Sequence, residues 1–161
     1  GSIYDQEDAR DFDSFVHCLC FNEGPFFNKV PVLVRVENVI FILLNSCLKT
    51  EDPFDFACGE IGRHQMESLK KILDDPKNKD LVKVVALHHH PFTHSDPVMK
   101  LLDAEKFMRT VHDKADIMLF GHTHDAIDTM CGSTRLVCNP HGYYNAMNDG
   151  IGFDPFKTIE I

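Results

Sequence analysis

The sequence predicts an α/β fold, a layered mixed β-sheet flanked by helices, and three observations predict it. Continuously apolar runs at residues 39–45, 82–87 and 116–120 read as strands buried on both faces. Two segments of helical spacing lie between those runs, which is the alternation of an α/β layer. Short strand pairs around residue 38 and residues 131–133 read as hairpins that add antiparallel partners.

Taken in order, residues 4–14 are acidic and polar and form an exposed lead-in or a short helix. Residues 15–21 are apolar enough for a strand, and Asn22-Glu23-Gly24-Pro25 breaks the chain after them. Residues 31–37 alternate as a strand should, Asn38 supplies a tight turn, and residues 39–45 return as the buried partner. A loop with acids and aromatics spans 50–59. Ile61, Leu69, Ile72 and Leu73 set a helix over 61–73, and Asp74-Asp75-Pro76 stops it. After a charged turn at 77–80 comes the strand 82–87. A proline-containing loop covers 91–97, and Met99, Leu102, Phe107 and Val111 space a helix over 98–114. The strand 116–120 follows. The hairpin of 126–130 and 134–138 turns across Cys131-Gly132-Ser133. Residues 139–155 are loop-rich, and 158–161 close as a short strand.

Composition narrows the function classes. A chain of 161 residues with 43% apolar and 25% charged residues suits one soluble domain with its own core. A formal charge of −9 argues against a nucleic-acid footprint, which needs a basic stripe, and against an anionic membrane surface. A phosphate ester stays compatible, because a bound metal outweighs the global field locally. No membrane-length apolar run, leader or lipidation motif is visible. The six cysteines, in a chain too core-rich for a disulfide scaffold, read as reduced thiols of a cytoplasmic protein. Gly1-Ser2 resembles a cloning scar, so the chain is expected to begin inside a longer protein.

The ten histidines point to the chemistry. Leu87-His88-His89-His90-Pro91 and Phe120-Gly121-His122-Thr123-His124 each follow a buried strand, at the carboxyl end where open α/β sheets keep their ligand sites. Side chains alternate faces along a strand, so His88 continues the face of Val84 and Ala86, and His89 that of Val85 and Leu87. Pro91 forces His90 toward extended backbone. This predicts a single metal ligand among the three, with a second orienting it from behind or touching substrate. His122 and His124, two apart, face the same way about 6–7 Å apart along the backbone. That reach suits two metals about 3.5–4 Å apart, one imidazole to each, and Gly121 lets the chain turn sharply before them. Imidazole suits Zn, Fe, Mn, Ni or Cu. His17, His64, His94 and His112 read as surface or core-edge residues, and His141 as a residue on the rim.

On these two stretches the chain resembles the carboxyl-terminal half of a calcineurin-like metallophosphoesterase, whose last two motifs they match. The strand end Leu43-Leu44-Asn45-Ser46, the segment Gly59-Glu60-Ile61-Gly62-Arg63-His64-Gln65 and the turn Val137-Cys138-Asn139-Pro140 resemble flanking parts of that family. The resemblance implies the second half of a four-layer αββα sandwich, and residues 1–161 as a single, incomplete domain of that kind. It implies metal ligands His89, two positions before Pro91, with His88 and His90 as near alternatives, together with His122 for one metal and His124 for the other. His88, His90 and His141 then orient ligands or contact substrate. Family enzymes hold two divalent ions (Mn, Fe, Zn or similar), and a metal-bound hydroxide attacks the phosphorus of a mono- or diester.

The family's first three motifs, Asp-x-His, Gly-Asp-x-x-Asp and Gly-Asn-His, do not occur. Asp13 and His17 are too far apart for the first, and Asp113 with Asp116 lacks the glycine of the second. The reading is therefore a hydrolase half that lacks its Asp and Asn ligands, holds one ion or none alone, and is inactive alone. Its partners are then a phosphate ester, the missing amino-terminal half, and a second copy through exposed sheet edges. The alternative is a non-catalytic metal-binding or scaffold module.

Overall fold

The computed structural model describes residues 31–47, 58–92, 100–123, 125–140 and 152–160. These form one mixed six-stranded sheet with two helices and a short 3-10 turn, Pro76–Asn78. The strands are β1 (Val32–Val36), β2 (Val39–Leu43), β3 (Val82–Ala86), β4 (Ile117–Leu119), β5 (Ile127–Cys131) and β6 (Thr134–Cys138). The helices are α1 (Gly62–Asp74) and α2 (Ala104–Val111). The spatial order is β1-β2-β3-β4-β6-β5. The four inner strands run parallel, and β1 and β5 are antiparallel at either side.

Register explains the core. Ile42 sits opposite Val85, Val85 opposite Met118, and Met118 opposite Leu136. That row is buried and shares one cluster with Met66, Leu69 and Leu73 of α1 and Phe107 and Val111 of α2. Strands that advance 2-3-4 in one direction through right-handed crossovers place both helices on the same face. The reverse row, Phe41, Val84 and Ile117, is apolar as well, and Val84 and Ile117 are buried. This is why the inner strands read as unbroken apolar runs rather than alternating ones.

Both hairpins form, with turns that differ from the expected ones. The positive φ that a two-residue loop demands falls on Glu37 (53°), not on Asn38. The second loop is Gly132-Ser133, and Cys131 belongs to β5, opposite Thr134. The helix expected over 98–114 is shorter. Leu101 bridges Gly59 in a parallel pair, and Asp103 turns its carboxylate away, so α2 begins only at Ala104. At the other end Asp113 takes a positive φ of 59° and its carboxylate accepts from the Ser133 backbone, which stops the helix.

The expected strand at 158–161 is absent over 158–160. Side chains hold the 152–160 segment in place of a ladder. Asn139 exchanges two hydrogen bonds with the Asp154 backbone, and Lys157 joins Arg135 on Asp128. Residues 15–21, much of the 50–59 loop, the 91–97 loop beyond Phe92, and most of 139–155 lie outside the described residues, as does residue 161.

Asp103 has a second role. Its two carboxylate oxygens accept from the backbone N–H groups of Ile61 and Gly62, at 3.0 and 2.9 Å, and so cap α1 from the turn that precedes α2. A carboxylate there satisfies orphan donors and complements the helix dipole. Asp103→Ala is expected to lower stability by about 1–2 kcal/mol, seen as a reduced urea midpoint at unchanged slope.

Candidate metal centre

Three parallel strands end at one place. β2 delivers Asn45 and Ser46, β3 delivers residues 88–90, and β4 delivers Gly121 and His122. Ladder hydrogen bonds continue past the strands and fix the tips against each other: Leu87 N–H to Leu119 O (3.1 Å), Phe120 N–H to Val137 O (3.1 Å) and Gly121 N–H to His88 O (2.9 Å).

The rings of His88, His89 and His122 meet there. Centroids are 5.0 Å apart for His88 and His89, 4.8 Å for His88 and His122, and 4.6 Å for His89 and His122. One ligand nitrogen from each lies within 4.8 Å of the others. His88 Nε2 and His122 Nδ1 share a hydrogen bond of 2.9 Å. The sequence reading allowed a single ligand among residues 88–90. The structure instead brings two of them to His122, because β3 ends at Ala86 and the backbone bends at 88 and 89, where strict alternation lapses. His90 does not join the trio. It is buried, stacks on Phe92 with centroids 5.6 Å apart, and its Nδ1 finds no hydrogen-bond partner among the described residues. His124 and His141 lie outside the described residues.

Gly121 is not where the chain turns. His122 itself takes the left-handed φ of 63°. A non-glycine residue there costs backbone energy, and such strain gathers at functional sites.

His89 is held from two sides by residues whose roles the sequence left unread. Ser46, fully buried, places its Oγ 2.8 Å from His89 Nδ1 and accepts the His89 backbone N–H at 3.2 Å. Gly59 lies against the ring, so that a Cβ there would overlap His89 Nδ1. The strand end carrying Ser46 is pinned by Gln65 of α1, whose Oε1 accepts from Asn45 N–H (3.0 Å) and whose Nε2 donates to Asn45 O (2.7 Å). Both segments had stood out by family resemblance. A small polar residue at a strand tip and a glycine just before a helix are the signals from which their roles could be read.

Burial favours the neutral form of His88 and His90. Burial pushes the His88 pKa down, since neighbouring rings crowd its nitrogens although one edge meets solvent. Burial also lowers His90, partly opposed by a backbone hydrogen bond. Neutral imidazoles keep a lone pair for a cation, and nitrogen donors of this kind suit Zn, Cu, Ni or Fe. The spacing of the three ligand nitrogens is what suits the trio to a metal ion. Among the described residues no helix is long and apolar enough to cross a membrane. No protein-family model and no curated protein matches the chain.

Proposed function

We propose that the chain is the carboxyl-terminal half of a metal-dependent phosphoesterase of the calcineurin-like kind, acting on a phosphate mono- or diester. One observation carries the reading: imidazoles from two neighbouring strand tips, His89 and His122, lie with ring centroids 4.6 Å apart at the carboxyl edge of a parallel sheet. A divalent ion bound there would acidify a water and neutralise phosphate oxygens. The chain's own part is to aim the nitrogens, which Ser46 and Gly59 do for His89. The trio has no carboxylate. The bridging carboxylate and a neutral Asn ligand would then come from the Asp and Asn motifs of a preceding segment, which would also complete the sandwich. His124 would serve the second ion.

The same lack of a carboxylate favours a second reading, a metal-binding or scaffold module without catalysis. The gene sequence upstream of Ile3 separates the two. An Asp-x-His after a strand supports the enzyme, and its absence supports the module. In solution the purified chain is expected to show no metal-stimulated hydrolysis of a chromogenic phosphate ester. Turnover that scales with added Mn(II) or Zn(II) at constant protein concentration would refute the half-site account.

A further inference from the structure

We propose that His88, His89 and His122 form a mononuclear site for a Zn(II)-like ion, with His88 as third ligand and Ser46 as the residue that positions His89. This rests on the preceding reading only for where an ion sits. It differs in the ligands and in the number of ions, one per chain.

Three facts support it. The ligand nitrogens already lie within 4.8 Å of one another, against about 3.4 Å between donors around a tetrahedral ion with bonds of about 2.0–2.1 Å. Side-chain rotation would close the gap, and both His88 and His122 sit at bends rather than in strands. Second, the 2.9 Å contact between His88 Nε2 and His122 Nδ1 points the two nitrogens at each other, so an ion can take both lone pairs once the proton between them has moved to the other nitrogen of its own ring. Third, Ser46 Oγ lies 2.8 Å from His89 Nδ1, within reach to accept a proton carried there. With the proton there, the lone pair is on Nε2, the far side of the ring from Ser46. Metal-bound histidines are oriented by such a partner on the other nitrogen.

The donor set selects the ion. Three neutral nitrogens bring no negative charge to offset the dehydration of Mg(II), which prefers oxygens. Borderline ions with a taste for imidazole, Zn(II) and Co(II), fit, and three protein ligands leave a fourth position open.

Titration of the metal-free protein with Co(II), followed by its visible d–d absorption, tests this without any ester present. Expected are one equivalent bound, the intense band of four-coordinate cobalt, displacement by Zn(II) and none by Mg(II). His88→Ala should weaken binding at least about 100-fold, and Ser46→Ala about 10–100-fold, with Ser46→Thr restoring it because the hydroxyl returns. His88 is solvent-exposed, so its substitution should leave the circular dichroism of the metal-free chain unchanged; His88→Gln replaces it if the alanine variant fails to fold. Unaltered affinity in His88→Ala alongside loss in His122→Ala would overturn the inference and leave the phosphoesterase reading standing. Two equivalents with weak six-coordinate absorption, or no Co(II) binding, would also overturn it.

Discussion

His122→Ala is expected to abolish metal retention, with affinity falling at least about 100-fold, since loss of a hydrogen-bond partner behind a ligand alone costs about 10–100-fold and loss of the ligand itself costs more. The ring it removes touches both other members of the trio. Metal content by mass spectrometry after dialysis is the direct readout. Retention at the wild-type level would remove the site. The backbone gives the experiment a second arm. At φ of 63° alanine keeps the left-handed strain and glycine does not. The metal-free His122→Gly protein should therefore be more stable than His122→Ala by about 1 kcal/mol, while binding metal no better. Equal stabilities would show that the turn stores no strain.

Gly59→Ala should be the most damaging small substitution. The new Cβ would overlap the His89 ring and stand 2.5 Å from Ser46 O. Neither neighbour can easily retreat. His89 is buried and bonded to Ser46, and the Ser46 carbonyl already accepts from Glu60 N–H at 3.0 Å. Gly59 also pairs with both Cys47 and Leu101, so its own backbone is held on each side. Overpacking of this kind costs about 3 kcal/mol, and metal affinity should fall with it because His89 is displaced. The control is Gly62→Ala. Gly62 has φ of 75° with nothing within 4 Å of an added Cβ, so alanine there meets no clash, bears only left-handed backbone strain of about 1 kcal/mol, and keeps the metal. Similar metal loss in both variants would mean that crowding at His89 is not the cause.

The inner strands were legible because parallel strands buried on both faces have no polar alternation to confuse them. The runs at 39–45, 82–87 and 116–120 became β2, β3 and β4 within a residue or two. The histidine tips were legible for the same reason, since a polar residue directly after an apolar run marks where the sheet ends. What lay hidden depends on contacts between distant segments. Alternation placed His88 and His89 on opposite faces, and only the bend beyond Ala86 turns both toward His122. Leu101 lies within the helix expected over 98–114, yet its pairing with Gly59 holds it outside α2. Ser46 and Gly59 are small residues whose worth lies in what approaches them. The residues at 158–160 have strand-like composition, but the ion pairs and amide bonds that hold the segment give it no ladder.

The carboxylate of Asp103 ties the start of one helix to the lead-in of the other. Fraying of α1 would take the donors from the Asp103 carboxylate, and loss of the turn before α2 would take the acceptor from the Ile61 and Gly62 N–H groups, so the two should protect their amides against exchange together and lose that protection in one step. Because Gln65 on α1 also grips the Asn45 backbone beside Ser46, this cooperative unit reaches the strand tip itself, and loosening it would be felt as disorder in the aim of His89.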